Sequence, residues 1–167
     1  MIIILMGVSG SGKTTIGKRL AAALGWGFHD GDAFHPPANI AKMQSGLPLD
    51  DHDRAAWLAA MRALIENSLR AQQSVVLACS ALKQIYRERL QADPRDVQFV
   101  FLKGDFELIA QRMQSRKGHF MPPHLLRSQF EALEEPQNVL TLDVALPPKK
   151  IVAQIKKALS LMTTPRP

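Results

Sequence analysis

Residues 1–24 read "MIIILMGVSGSGKTTIGKRLAAAL". The apolar run Ile2 to Leu5 reads as a strand buried on both faces. Thr14 to Leu24 reads as a helix, with Ile16, Leu20, Ala23 and Leu24 on one side. Between them lie glycines at 7, 10 and 12. Glycine is costly to order and packs nothing, so such a cluster needs a reason. Gly7, four further residues and then Gly12-Lys13-Thr14 fit the pattern G-x-x-x-x-G-K-[ST]. In that pattern the loop amides and the helix N-terminus wrap phosphates, and the lysine reaches the β- and γ-phosphates. The threonine hydroxyl serves Mg²⁺. Strand, loop and helix stand in the order the motif demands, which a chance Gly/Ser turn would not supply. The expected nucleotide cradle is Gly7, Ser9, Gly10, Ser11, Gly12, Lys13, Thr14 and Thr15.

Outward from this loop, strand and helix alternate. "WGFHD" (26–30), "SVVLAC" (74–79), "VQFVFLKG" (97–104) and "NVLTLD" (138–143) read as further strands, all but the first of these buried on both faces. Asp53 to Arg70 reads as a helix carrying Trp57, Met61, Leu64, Ile65 and Leu69. Asp105 is the expected N-cap of Phe106 to Ser115, and Lys149 to Met162 closes the chain as an amphipathic helix. This predicts one three-layer α/β/α domain over residues 1–163, with 164–167 as a tail, and ligands at the carboxyl ends of the strands.

Composition narrows the class. The 167 residues suit one domain with a single sizeable core. The excess of 21 Lys+Arg over 15 Asp+Glu is dispersed, and no nucleic-acid motif accompanies it, so ATP and a small anion are the expected partners. The one cysteine, Cys79, excludes an internal disulfide framework. No signal-peptide pattern or membrane-length apolar run is present, and the cytoplasm is the expected location.

Each strand end offers chemistry. "DGDAFHP" sets Asp30 and Asp32 where phosphoryl transfer needs one acid near Mg²⁺ and one to orient the acceptor hydroxyl. The same Asp-Gly-Asp is also good turn chemistry. His35 follows as a substrate-side hydrogen-bond donor. Asp50, Asp51 and Asp53 read as acids at a helix N-terminus, not as a metal loop. Arg54 is a candidate to grip a carboxylate bidentately. The third strand ends in Cys79-Ser80 and lacks an acid, so the acid near Mg²⁺ is expected from Asp30 or Asp32, if from any side chain. Lys83, Tyr86 and Arg87 follow as candidates to line an acceptor pocket. Arg112 and Arg116 stand one helical turn apart before a Gly-containing, Pro-bounded segment, read as a lid over about 116–124.

The motifs "MGVSGSGKTT", "DGDAFHPPANIAKMQSGLPLDDHDRAAWL", "CSALKQIYRERL", "FVFLKGDFELIAQRMQSRKGHFM" and "SQFEALEEP" together resemble the gluconokinases, a family of P-loop small-molecule kinases. The resemblance covers most of residues 5–136. It implies a nucleoside-monophosphate-kinase-like sheet of order 2-3-1-4-5. It also implies transfer of the ATP γ-phosphoryl group, with Mg²⁺, to the 6-hydroxyl of D-gluconate. In that setting Lys13, Asp32 and Arg116 are the expected catalytic residues, and Thr14 and Asp30 the metal side. Arg112 is expected near adenine, and His35, Arg54, Lys83 and Arg87 on the substrate. In "RAAWL" an alanine stands where relatives often have proline. The oligomeric state stays open, a homodimer being one option. Two other readings compete. Shikimate kinases share the Asp-x-Asp but usually have a Gly-rich turn in place of "CSALK". A GTP-dependent switch would need Asn-Lys-x-Asp and Asp-x-x-Gly, and both are missing.

Overall fold

The computed structural model describes residues 1–115 and 123–163. The first strand, β1 (Ile2–Met6), is fully buried along its length. Side chains alternate across a strand, so Ile3 and Leu5 enter one core while Ile2, Ile4 and Met6 enter the other. β1 is followed by α1 (Lys13–Leu24), β2 (Gly27–Asp30), a 3₁₀ turn (Gly31–Phe34), α2 (Pro37–Gln44), α3 (Asp53–Arg70) and β3 (Val75–Ala78). Then come α4 (Gln84–Leu90), β4 (Val97–Lys103), α5 (Phe106–Gln114), α6 (Pro123–Ala132), β5 (Leu140–Asp143) and α7 (Pro148–Thr163).

All strand pairs are parallel, in the order β2-β3-β1-β4-β5 that the resemblance implied. Ile16 and Leu20 of α1 and Ile151 and Ile155 of α7 cover one face. Trp57, Met61 and Ile65 of α3 and Leu90 of α4 cover the other. β1 is the topological switch point, since its successors by crossover lie on opposite sides of it. A ligand crevice belongs at its carboxyl end.

One expectation needs correction. β5 is not buried on both faces. It is the sheet edge, paired only with β4, and of its residues only Leu142 is buried. The segment read as a lid over about 116–124 overlaps the described residues only at Pro123 and His124, the start of α6, which buries Leu125 and Leu126 further on. The remainder of that lid, with Arg116, lies outside the described residues, as does the tail. Among the described residues no helix is long and apolar enough to cross a membrane.

Candidate active site

The glycine loop leaves β1 and enters α1 through two constrained positions. Gly12, the N-cap of α1, has φ 93°, a conformation unfavourable for any residue with a Cβ. A Cβ on Gly7 would lie 2.7 Å from the Leu102 carbonyl oxygen, so β4 permits only glycine there. No side chain caps the first turn of α1, which leaves its amides for an anion. Lys13 Nζ donates to the carbonyl oxygens of Gly7 and Val8, each at 2.9 Å. Burial pushes its ammonium below the ordinary lysine range, and Asp32 is the carboxylate that most opposes this.

The Asp30–Asp32 pair is divided by the structure. Thr14 Oγ1 donates to Asp30 Oδ2 at 2.7 Å, and Asp30 Oδ1 accepts from the Asp32 amide at 3.2 Å. Asp30 is therefore locked against the P-loop threonine. Among the described residues no donor engages the Asp32 carboxylate. Both acids line a cavity of about 60 Å³ with Ser9, Gly10, Lys13 and Thr14. Trp57 Nε1 donates to the Gly31 carbonyl at 2.7 Å and so fixes the peptide between the two acids. A larger cavity, about 260 Å³, adjoins through Gly10, Gly12, Thr15 and Met113 and adds Arg112, Val144 and Leu146. Arg112 is oriented there by a 2.7 Å hydrogen bond to the Val144 carbonyl.

A third cavity, also about 260 Å³, opens between α3, α4 and α6 and includes Asp51, Arg54, Lys83, Tyr86 and Gln129. Arg54 lies over Trp57 (5.8 Å) and Tyr86 (5.7 Å), and among the described residues it forms no ion pair. Lys83 differs. Its Nζ donates to Asp51 at 2.7 Å, and Tyr86 donates to the same oxygen. The Lys83 bond, then the Tyr86 bond, hold the Asp51 carboxyl below its usual range. Asp53 behaves as a helix-start acid, exchanging backbone–carboxylate hydrogen bonds with Asp50. Asp51 does not; it faces the cavity.

Two candidates do not line the cavity that Arg54 and Lys83 line. Arg87 is buried and donates to the carbonyls of Ala81 (3.1 Å) and Leu82 (2.9 Å), stabilising the turn after β3. It does not line the cavity that Lys83 lines. His35 is stacked on Trp57 with centroids 4.6 Å apart, and Asn39 contacts its Nδ1 at 3.5 Å. Burial pushes the imidazole pKa below its ordinary range, favouring the neutral ring that stacks on Trp57. Burial likewise pushes the Cys79 thiol up to about 12, which removes it as a nucleophile. Arg87→Ala is expected to leave two carbonyls without a partner and to cost about 1–3 kcal/mol of stability. Thermal melting should fall by about 2–4 °C per kcal/mol. The KM for the phosphoryl acceptor should hardly move, whereas a large KM rise without a melting shift would return Arg87 to the candidate acceptor site.

Sequence reasoning passed over Gln129. It sits 120 positions from Ser9, yet its Oε1 accepts from the Ser9 amide at 2.7 Å and its Nε2 donates to Ser9 Oγ at 3.1 Å. The quoted segment "SQFEALEEP" contains it, but nothing local points to the P-loop.

The shikimate kinase family model matches residues 9–159. A gluconokinase of Gluconobacter oxydans is 49% identical over 134 residues, 80% of this chain and 75% of that protein. The thermosensitive gluconokinase of Escherichia coli is 45% identical over 93% of this chain and 85% of its own. The crystal structure of a gluconokinase from Sinorhizobium meliloti superposes with a TM-score of 0.82 at 43% identity, covering 97% of each chain. The chain therefore belongs to the gluconokinases, within the shikimate-kinase-like family of P-loop kinases.

Proposed function

We propose that the chain transfers the γ-phosphoryl group of ATP to the 6-hydroxyl of D-gluconate, giving 6-phospho-D-gluconate and ADP. The relatives' shared activity supports this, and one observation here supports it independently. Arg54 is a guanidinium held between two aromatic rings, without a carboxylate partner among the described residues, in a cavity beside the P-loop. Such a group suits a substrate carboxylate. Lys83 is already neutralised by Asp51, so the acid end falls to Arg54. Asp51, with carboxylate lone pairs toward the same cavity, suits the sugar hydroxyls.

The nucleotide fits the remaining geometry. The glycine loop, the uncapped α1 terminus and Lys13 suit the phosphates, and the cavity with Arg112, Val144 and Leu146 suits a base. Among the described residues no cluster of three or more His, Cys, Asp or Glu exists for a metal. Magnesium on a nucleotide needs only one or two protein oxygens, and the Thr14–Asp30 pair provides a hydroxyl and a carboxylate. Bound there, the ion would neutralise phosphate charge.

Asp32, not tied to Thr14, is left to face the acceptor. It orients the 6-hydroxyl and takes its proton as the oxygen bonds to the γ-phosphorus and the bond to the β-phosphate oxygen breaks. Lys13 counters charge on the departing phosphates. Arg116 is the proposed further cation on the transferring group. A reaction that consumes ATP suits the cytoplasm.

Arg54→Ala tests this reading. It should raise the gluconate KM by roughly 30- to 1,000-fold, the equivalent of about 2–4 kcal/mol for a desolvated charge pair. The poor activity expected on uncharged glucitol should barely change. Equal losses on both substrates would mean that Arg54 supports α3 and that the carboxylate is held elsewhere.

A further inference from the structure

We propose that Asp51 is a specificity-determining residue that restricts the acceptor to a single negative charge at its acid end, admitting a carboxylate and turning away the dianion of a sugar phosphate. The inference rests on reading the Arg54 cavity as the acceptor site. Three charged groups of that cavity meet around the Tyr86 ring. The Arg54 guanidinium carbon and Lys83 Nζ each lie 5.7 Å from the ring centroid. One oxygen of Asp51 accepts from Lys83 Nζ at 2.7 Å and from the Tyr86 hydroxyl. Two cations and one carboxylate leave one positive charge unmatched. Asp50, the other acid of the lining, is engaged away from them. It accepts from the Asp53 amide at 2.8 Å and lies 3.7 Å from Lys42.

Without the Asp51 charge, Lys83 would join Arg54 as a second unmatched cation. Two cations suit a phosphate monoester, which is a dianion above neutral pH. With Asp51 charged, a second negative charge on the acceptor would be set against its carboxylate, and juxtaposed like charges cost affinity. The Tyr86 hydroxyl holds the carboxylate in place. Burial first, and Asp51 next, push the phenol pKa up, so the hydroxyl stays protonated and remains a donor. Charge is the property to read here. A polyol phosphate offers the same chain of hydroxyls and the same terminal 6-hydroxyl as a sugar acid, and discrimination between them needs an element that repels the wrong one.

Glucitol 1-phosphate, with its dianion at carbon 1 and a free 6-hydroxyl, is the probe. The ratio of kcat/KM for gluconate to that for glucitol 1-phosphate, with ATP and Mg²⁺ at about pH 8, is the readout. The reaction is the same phosphoryl transfer to the 6-hydroxyl, giving glucitol 1,6-bisphosphate and ADP. The wild-type protein should favour gluconate. Asp51→Asn keeps the size and can still accept from Lys83 and Tyr86, but it carries no charge. It should shift the ratio toward glucitol 1-phosphate by at least about 10-fold, whatever the absolute rates do. Adding Lys83→Met should cancel that shift, because the released ammonium carries it. An unchanged ratio in Asp51→Asn, no detectable turnover of glucitol 1-phosphate by it, or a shift that survives Lys83→Met would overturn the proposal. So would a wild-type preference for the sugar phosphate. Arg54→Ala separates the two readings. If it leaves the gluconate KM unchanged, the acceptor site is misplaced; if it raises that KM while Asp51→Asn leaves the ratio unchanged, the charge inference alone fails.

Discussion

Lys13→Ala is expected to lower kcat by at least about 10³-fold, the upper range for removing one group that stabilises transition-state charge. The fold should survive, and the melting temperature should hold or rise. Burial depresses the Lys13 pKa, so the folded protein holds this ammonium at a cost in stability. Its acceptors are the loop's own Gly7 and Val8 carbonyls, and alanine is well suited to the first position of α1. Activity and stability should thus move apart, as expected where a site is strained for function. Single-turnover kinetics with a melting curve on the same sample give both numbers. A folded variant with near-normal turnover would remove the loop from the chemistry.

Asp32→Asn should cost about 10²- to 10⁴-fold in kcat, the range for losing a positioned general base. Asparagine keeps the shape and can still accept a hydrogen bond, but it cannot take the proton. Asp30→Asn should act differently. Asp30 holds Thr14, so its loss should appear as a weaker response to Mg²⁺, recovered in part at high metal concentration. The two titrations against Mg²⁺ distinguish the roles. If Asp32→Asn were rescued by metal and Asp30→Asn were not, the assignments would be reversed.

What could be read from the chain follows from how local each feature is. The P-loop is contiguous, and its glycines and lysine report their own geometry. Asp30 and Asp32 were placed because a strand end had to open onto the phosphates. Which acid lies against Thr14 was not legible, since that contact spans a helix and a strand. Lys83 and Arg87 look equivalent in "LKQIYRERL", yet one faces a cavity and the other turns inward to two carbonyls. Asp51 looked like its neighbours Asp50 and Asp53 until the fold brought Tyr86 and Lys83 to it. The Ser9–Gln129 contact joins segments 120 positions apart, and no periodicity encodes that. The half-exposure of β5 was hidden because "VLTLD" is apolar enough for a strand buried on both faces, although the order 2-3-1-4-5 that the resemblance implied already set it at the sheet edge.

The central claim is that this cleft phosphorylates the terminal hydroxyl of a sugar acid. Phosphorus NMR of the product formed from ATP, Mg²⁺ and an equimolar panel of gluconate, shikimate and glucitol tests it most directly. One new phosphomonoester, assigned by its proton couplings to carbon 6 of gluconate and formed in step with ADP, is the expected result. A faster-growing shikimate phosphate, or ADP accumulating as inorganic phosphate appears and no phosphomonoester forms, would contradict it.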